Sequence, residues 1–94
     1  MSTSAGRPER IRSELERALT PQALELIDDS HLHAGHAGAR DGRGHFRVRI
    51  VSEQFAGLRM LERHQLVYRS LGALMQTDIH ALSIVAQTPE EAGR

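Results

Sequence analysis

The chain has 94 residues, and its 12 lysines and arginines balance 12 aspartates and glutamates, so the formal net charge is zero with neutral histidines. That length provides one domain with a modest core, and the charge balance excludes a whole-molecule field drawing the protein to nucleic acid or an anionic membrane. There is no cysteine, which excludes disulfides and any thiolate site of the chain's own.

The residues from Met1 to Arg10 lack the apolar run of a signal peptide, and no stretch approaches the roughly 20 apolar residues of a membrane span, so the expected compartment is the cytoplasm. Residues 1–7 read as a flexible N-terminus, with Pro8 well placed for the first turn of a helix. Ile11, Leu15, Ala18 and Leu19 then recur at i, i+4, i+7 and i+8, one apolar helix stripe that Thr20-Pro21 ends. Gln22 to Asp28 sets Leu24 and Leu26 against Glu25, the alternation of a half-buried strand. Residues 29–44, rich in Gly, Ala and His, form a hairpin loop much longer than a hairpin requires.

His45 to Val51 alternates Phe46, Val48 and Ile50 against His45, Arg47 and Arg49, which predicts a strand with one wet face, antiparallel to the first. After a linker carrying Phe55 and Gly57, Leu58 to Met75 reads as a long amphipathic helix. At 100° per residue, Met60, Leu61, His64, Val67, Tyr68, Leu71, Leu74 and Met75 share one arc, facing the core. Arg59, Glu62, Arg63, Leu66, Arg69 and Ser70 occupy the opposite side, making it basic. His80 to Gln87 is a third strand, with Leu82, Ile84 and Ala86 alternating against Ser83 and Val85. Thr88-Pro89 closes the fold, leaving a tail, 89–94, with a stub of helix. The order is helix, strand, strand, short helix, helix, strand, an α+β plan in two layers. A small three-stranded sheet is covered by helices on one face, in a single domain spanning 1–94.

Four of the six histidines, His31, His33, His36 and His45, fall within fifteen residues. His31, His33 and His36 give His-x-His-x-x-His, a spacing that can turn several ring nitrogens toward one cation. The competing reading is a solvated polar loop whose imidazoles serve nearby backbone groups.

The residues around the cluster carry a resemblance. Asp28-Asp29-Ser30-His31, His45-Phe46-x-Val48, Val51-Ser52, Phe55-x-Gly57, Arg63-His64-x-x-Val67-Tyr68 and Ile79-His80-Ala81-Leu82 with Thr88-Pro89 stand in the order found in the BolA family, which the chain resembles from about Leu15 to Pro89. The resemblance implies a fold similar to the class II KH domain. It also implies a monothiol glutaredoxin as partner, in a heterodimer that holds a bridging 2Fe-2S cluster. The glutaredoxin cysteine and a glutathione thiol supply one side, with no cofactor expected on the isolated chain. His80, in the His-Ala-Leu motif, takes the place of the family's C-terminal histidine ligand. The second ligand is a histidine of the first hairpin loop, His36 or His33, and His31 and His45 are auxiliary candidates. Nitrogen ligation of one iron raises the potential above that of an all-thiolate cluster.

His64 belongs to a matched motif but sits in the middle of the apolar arc, and reads as a buried, hydrogen-bonded core histidine. Asp28, Asp29 and Ser30 read as turn residues capping local backbone groups. The basic groups Arg59, Arg63, Arg69, Arg47 and Arg49 are candidates for contact with nucleic-acid phosphates or an acidic partner surface, against the plain reading of solvated, ion-paired arginines.

Two functions of different class compete. The first is an adaptor in iron-sulfur cluster assembly, trafficking or iron sensing. The second is a nucleic-acid-binding transcriptional regulator of stress response and cell morphology, with DNA as the partner. Against the second, the turn expected to carry Gly-x-x-Gly in a KH domain reads Phe55-Ala56-Gly57-Leu58, and Arg63-His64-Gln65 stands where DNA-binding relatives tend to have Arg-His-Arg. An enzyme is not expected: histidines alone form hydrolytic zinc sites, but no carboxylate or nucleophile constellation accompanies them. Neither a membrane nor a small-molecule substrate is implied.

Overall fold

The structure is a computed structural model in which residues 6–29 and 44–93 are described. Helix α1 (Arg7–Leu19) leads into strand β1 (Ala23–Asp28), and β2 (Gly44–Val51) is followed by a single 3-10 turn, Glu53–Phe55. Helices α2 (Met60–Leu71) and α3 (Leu74–Thr77), strand β3 (Ile79–Gln87) and the short helix α4 (Pro89–Ala92) complete the order.

The predicted stripe of α1 buries Ile11, Leu15 and Leu19, whereas Ala18 faces solvent. The helix ends at Thr20, whose φ of 40° places it in the left-handed region while its N–H still donates to Glu16 O. Pro21 then prevents any continuation.

The three strands lie in the order β1-β2-β3, with β1 antiparallel and β3 parallel to β2. A parallel partner needs a long crossover, here the turn and helices between Val51 and Ile79. Phe46, Val48 and Ile50 of the central strand point into a core completed by Ile11, Leu15, Leu19, Phe55, Val67, Leu71, Ile79 and Ala86. The opposite sheet face is wet, as the alternation predicts: Arg47 pairs with Asp29 and Arg49 with Glu25 across it. Asp29 thus also serves as an ion-pair partner of the open face, and the backbone groups of residues 30–43 that it would cap lie outside the described residues. No helix among the described residues is long and apolar enough to cross a membrane.

Three expectations for the long helix are corrected. It is interrupted at Gly72, whose φ of +55° ends α2 before α3 begins. Its buried face runs through Arg63, Val67 and Leu71, leaving Met60 (55%), Leu61 (69%) and Tyr68 (41%) exposed. The basic outer face therefore loses Arg63, which is 7% exposed.

The physical reason is that Arg63 is a buried connector. Its Nε donates to Leu58 O at 2.9 Å, its Nη1 to Ala86 O at 3.1 Å, and Nη1 and Nη2 grip the two Glu91 carboxylate oxygens at 2.7 and 3.0 Å. A bidentate fork with every neighbour satisfied is a burial that a wheel scored on hydropathy misses. Glu91 also closes the capping box of α4, accepting from Thr88 N at 2.9 Å while its own N–H donates to Thr88 Oγ1. Ser52 makes a second polar tie: its hydroxyl donates to Leu19 O at 2.6 Å and accepts from Gln54 N, fastening the end of α1 to the 3-10 turn.

His64 is half-buried and not a core residue. It lines a cleft of about 410 Å³ with Met60, Ile84 and Val85, and its Nε2 has no hydrogen-bond partner.

The Arg63–Glu91 tie makes two predictions, and the unpartnered His64 nitrogen a third. Arg63→Ala should lower unfolding free energy by about 3 kcal/mol in denaturant titration, because the Leu58 and Ala86 carbonyls lose their donor. The Arg63 fork, then the Thr88 N–H, hold the Glu91 carboxyl at about 2, below its ordinary 4.5. A depressed folded-state value contributes stability above the unfolded value, lost as pH falls from 4.5 toward about 2. Glu91→Gln should flatten that acid limb; an unchanged limb would mean the fork is not coupled to folding. His64→Leu should leave the melting temperature unchanged or raise it, because it removes an orphaned polar atom from an apolar cleft; a large fall would restore His64 to the core.

Candidate metal centre

At one end of the sheet the regular β2–β3 pairing breaks. Gly44 faces Ile79, but the next residue, His45, faces Ala81, so β3 carries one extra residue, His80. Such a bulge re-aims a side chain. Burial records it: Ile79 is buried and Leu82 half-buried against the core, while His80 and Ala81 between them are consecutively exposed, a breach of the strict alternation of a strand.

The bulge brings His80 beside His45 on the neighbouring strand. The two imidazole rings lie with centroids 5.1 Å apart and tilted by 48°. For a metal–nitrogen distance of about 2.0–2.1 Å, two imidazoles on one tetrahedral ion have their ring centres about 5 Å apart. The ring spacing matches that value, with His80 exposed and His45 half-buried, its Nε2 shut off from solvent. The set is incomplete by itself, since among the described residues no three His, Cys, Asp or Glu side chains are grouped to hold an ion.

The same end of the sheet is where residues 30–43 attach. β1 and β2 are closed there by the Asp29 N–H donating to His45 O at 2.8 Å. His31, His33 and His36 lie outside the described residues, among which the structure places His45 and His80 together. Beneath the bulge, Asp78 is 6% exposed. Its carboxylate accepts from the Thr77 hydroxyl, from Arg7 Nε at 3.3 Å and from Arg10, and its backbone carbonyl accepts from Gly44 N at 2.8 Å. The Thr77 hydroxyl, with Arg10 and Arg7, holds this carboxyl below its ordinary value against the opposing effect of burial.

Sequence reasoning singled out His80 and His45 but missed both the bulge and Asp78. A signal for the bulge is present: Ile79 and Leu82 are apolar three apart, where a strand of period two would make one of them face water. Asp78 has no such signal, because its partners Arg7 and Arg10 are some 70 positions away. Among the predicted basic contacts, Arg59 is exposed at the start of α2, its N–H donating to Glu62 Oε1. Arg69 lines a cleft of about 500 Å³ with Arg10 and Arg17, remote from Arg47 and Arg49 on the open sheet face.

Comparison with known proteins places this architecture. Residues 15–91 match the family model described as BolA-like protein. The chain is 45% identical over 89 residues to Protein BOLA1, chloroplastic, of Arabidopsis thaliana, covering 92% of this chain and 56% of that protein. It is 39% identical over 83 residues to the DNA-binding transcriptional regulator BolA of Escherichia coli, covering 88% of this chain and 76% of the relative. Among solved structures, the BolA domain of SufE1 from Arabidopsis thaliana superposes with a TM-score of 0.80 at 44% identity, covering 97% of this chain and 99% of that one. The chain spans between 56% and 64% of the length of BolA1-type relatives from plant and mammals. With its α+β order, its three-stranded sheet and a match across its described elements, this chain belongs to the BolA-like protein family.

Proposed function

We propose that the chain is an adaptor in iron-sulfur cluster assembly, trafficking or iron sensing that binds a monothiol glutaredoxin and holds a bridging 2Fe-2S cluster jointly with it. One observation carries the reading: a bulge sets His80 beside His45 at an exposed sheet end, in a chain with no cysteine. His80 supplies one ring nitrogen, a histidine of the adjoining segment, His36 or His33, supplies the second, and His45 takes the auxiliary position beside His80. The sulfur ligands come from outside, from the glutaredoxin cysteine and glutathione, because the chain has no thiolate. When bound, a cluster with imidazole on one iron has a higher reduction potential than an all-thiolate one. Ile79 and Leu82 anchor the strand on either side of the exposed pair, so that His80 is presented without loosening the core.

The second reading, a nucleic-acid-binding regulator using a KH-like fold, is favoured by the name of the Escherichia coli relative. It loses Arg63, whose guanidinium is occupied by Glu91 and two carbonyls. Among the described residues it keeps Arg59, the arginines of the α1–α2 cleft and those of the open sheet face.

The test is titration of a cluster-loaded monothiol glutaredoxin with this protein, followed by visible absorption and circular dichroism. A saturable spectral change is expected with the wild type and with His64→Ala, and is expected to be absent with His80→Ala, whose melting temperature should stay within about 2 °C of wild type, as for other exposed substitutions. Absence of any change with the wild type contradicts the adaptor reading and favours the regulator, which duplex DNA binding would then examine.

A further inference from the structure

We propose that Asp78 is the positioning residue of this site: clamped by α1, it holds the turn from which His80 departs and so fixes the separation of the His80 and His45 rings. The proposal rests on the reading of His80 as a ligand for its consequence, but not for its geometry.

The geometry is a three-way tie. Asp78 lies two residues before His80, buried at 6% exposure, at the junction of α3 and β3. Its carboxylate is gripped from α1 by Arg7 and Arg10 and locally by the Thr77 hydroxyl at 2.5 Å. Its backbone faces both ways along the site: the N–H donates to Leu74 O at 2.9 Å, and the carbonyl accepts from Gly44 N at 2.8 Å. Gly44 is the residue immediately before His45 and sits at the point where the register shifts. One residue therefore fastens the two strand starts that carry the two imidazoles, its side chain to a helix from the other end of the sequence and its carbonyl to Gly44.

A buried carboxylate is costly to leave unpaired, so its position is dictated by where the two guanidinium groups stand. Bulged strand ends are otherwise adaptable, because the extra residue is left out of the ladder. Partners that orient a ligand from behind change metal affinity by about 10–100-fold when removed. Core packing alone does not perform this role: Ile79 fixes the depth of the strand, while the approach of His80 to His45 depends on the turn before it.

Three variants decide the proposal. Asp78→Asn keeps the size and the Thr77 contact but removes the ion pairs. The double variant Arg7→Gln/Arg10→Gln removes the same pairs from partly exposed side chains and leaves Asp78 in place. Val67→Ala lowers stability from the core of α2, away from the turn. In the metal-free protein, nuclear Overhauser contacts between the His45 and His80 ring protons should weaken or vanish in the first two and persist in Val67→Ala. With cluster-loaded monothiol glutaredoxin, the first two should shift the titration midpoint by about tenfold, and Val67→Ala should not. Ring contacts that persist in the Asp78 and double variants overturn the proposal, as does an equal loss in Val67→Ala, which would make the effect one of stability. If the wild type gives no spectral change with the glutaredoxin, the adaptor reading fails, and the ring contacts still decide the role of Asp78.

Discussion

The pairing of β2 with β3 is the constraint on which the candidate site depends. Because the two strands are parallel, they cannot be joined by a tight turn, and the chain must leave the sheet at Val51 and return at Ile79 through two helices. That detour lets β3 start beside the start of β2, so the first residues of both strands share one sheet end. A single extra residue in β3 then turns His80 out toward His45. The ends of β1 and β2 that flank residues 30–43, Asp29 and Gly44, also stand at this end.

The polar ties that hold this arrangement are few and buried. Ser52 joins the end of α1 to the turn after β2, Arg63 joins α2 to the end of β3 and to α4, and Asp78 joins the beginning of α1 to the beginning of β3. Each joins segments far apart in sequence, and each leaves a charge or hydroxyl that would be costly without its partner. The apolar core fixes the layers, while these three residues fix how the sheet ends are presented.

Much of the fold was legible because periodicity reports burial directly. The strict alternation in β2 and the stripe of α1 placed Phe46, Val48, Ile50, Ile11, Leu15 and Leu19 in the core, as found. The long helix is less legible, because a wheel ranks residues by hydropathy and puts an arginine outside, whereas Arg63 is buried by its bidentate pairing with Glu91. The same ranking turns Met60, Leu61 and Tyr68 inward, and it hides the break at Gly72 because the apolar pattern continues beyond it. At the site, the family resemblance singled out His80 but was silent on what stands behind it. Asp78 was invisible because its role is created by tertiary approach, and the local sequence carries no pattern for it.

The central claim is that an imidazole of this chain ligates an iron whose sulfur ligands belong to another molecule. The most direct measurement is pulsed electron paramagnetic resonance of the reduced cluster, in a complex of ¹⁵N-histidine-labelled chain with unlabelled glutaredoxin. The account predicts ¹⁵N couplings of the strength of directly bound imidazole, with the contribution of His80 absent in His80→Ala. A spectrum without ¹⁵N coupling from the labelled chain would contradict it.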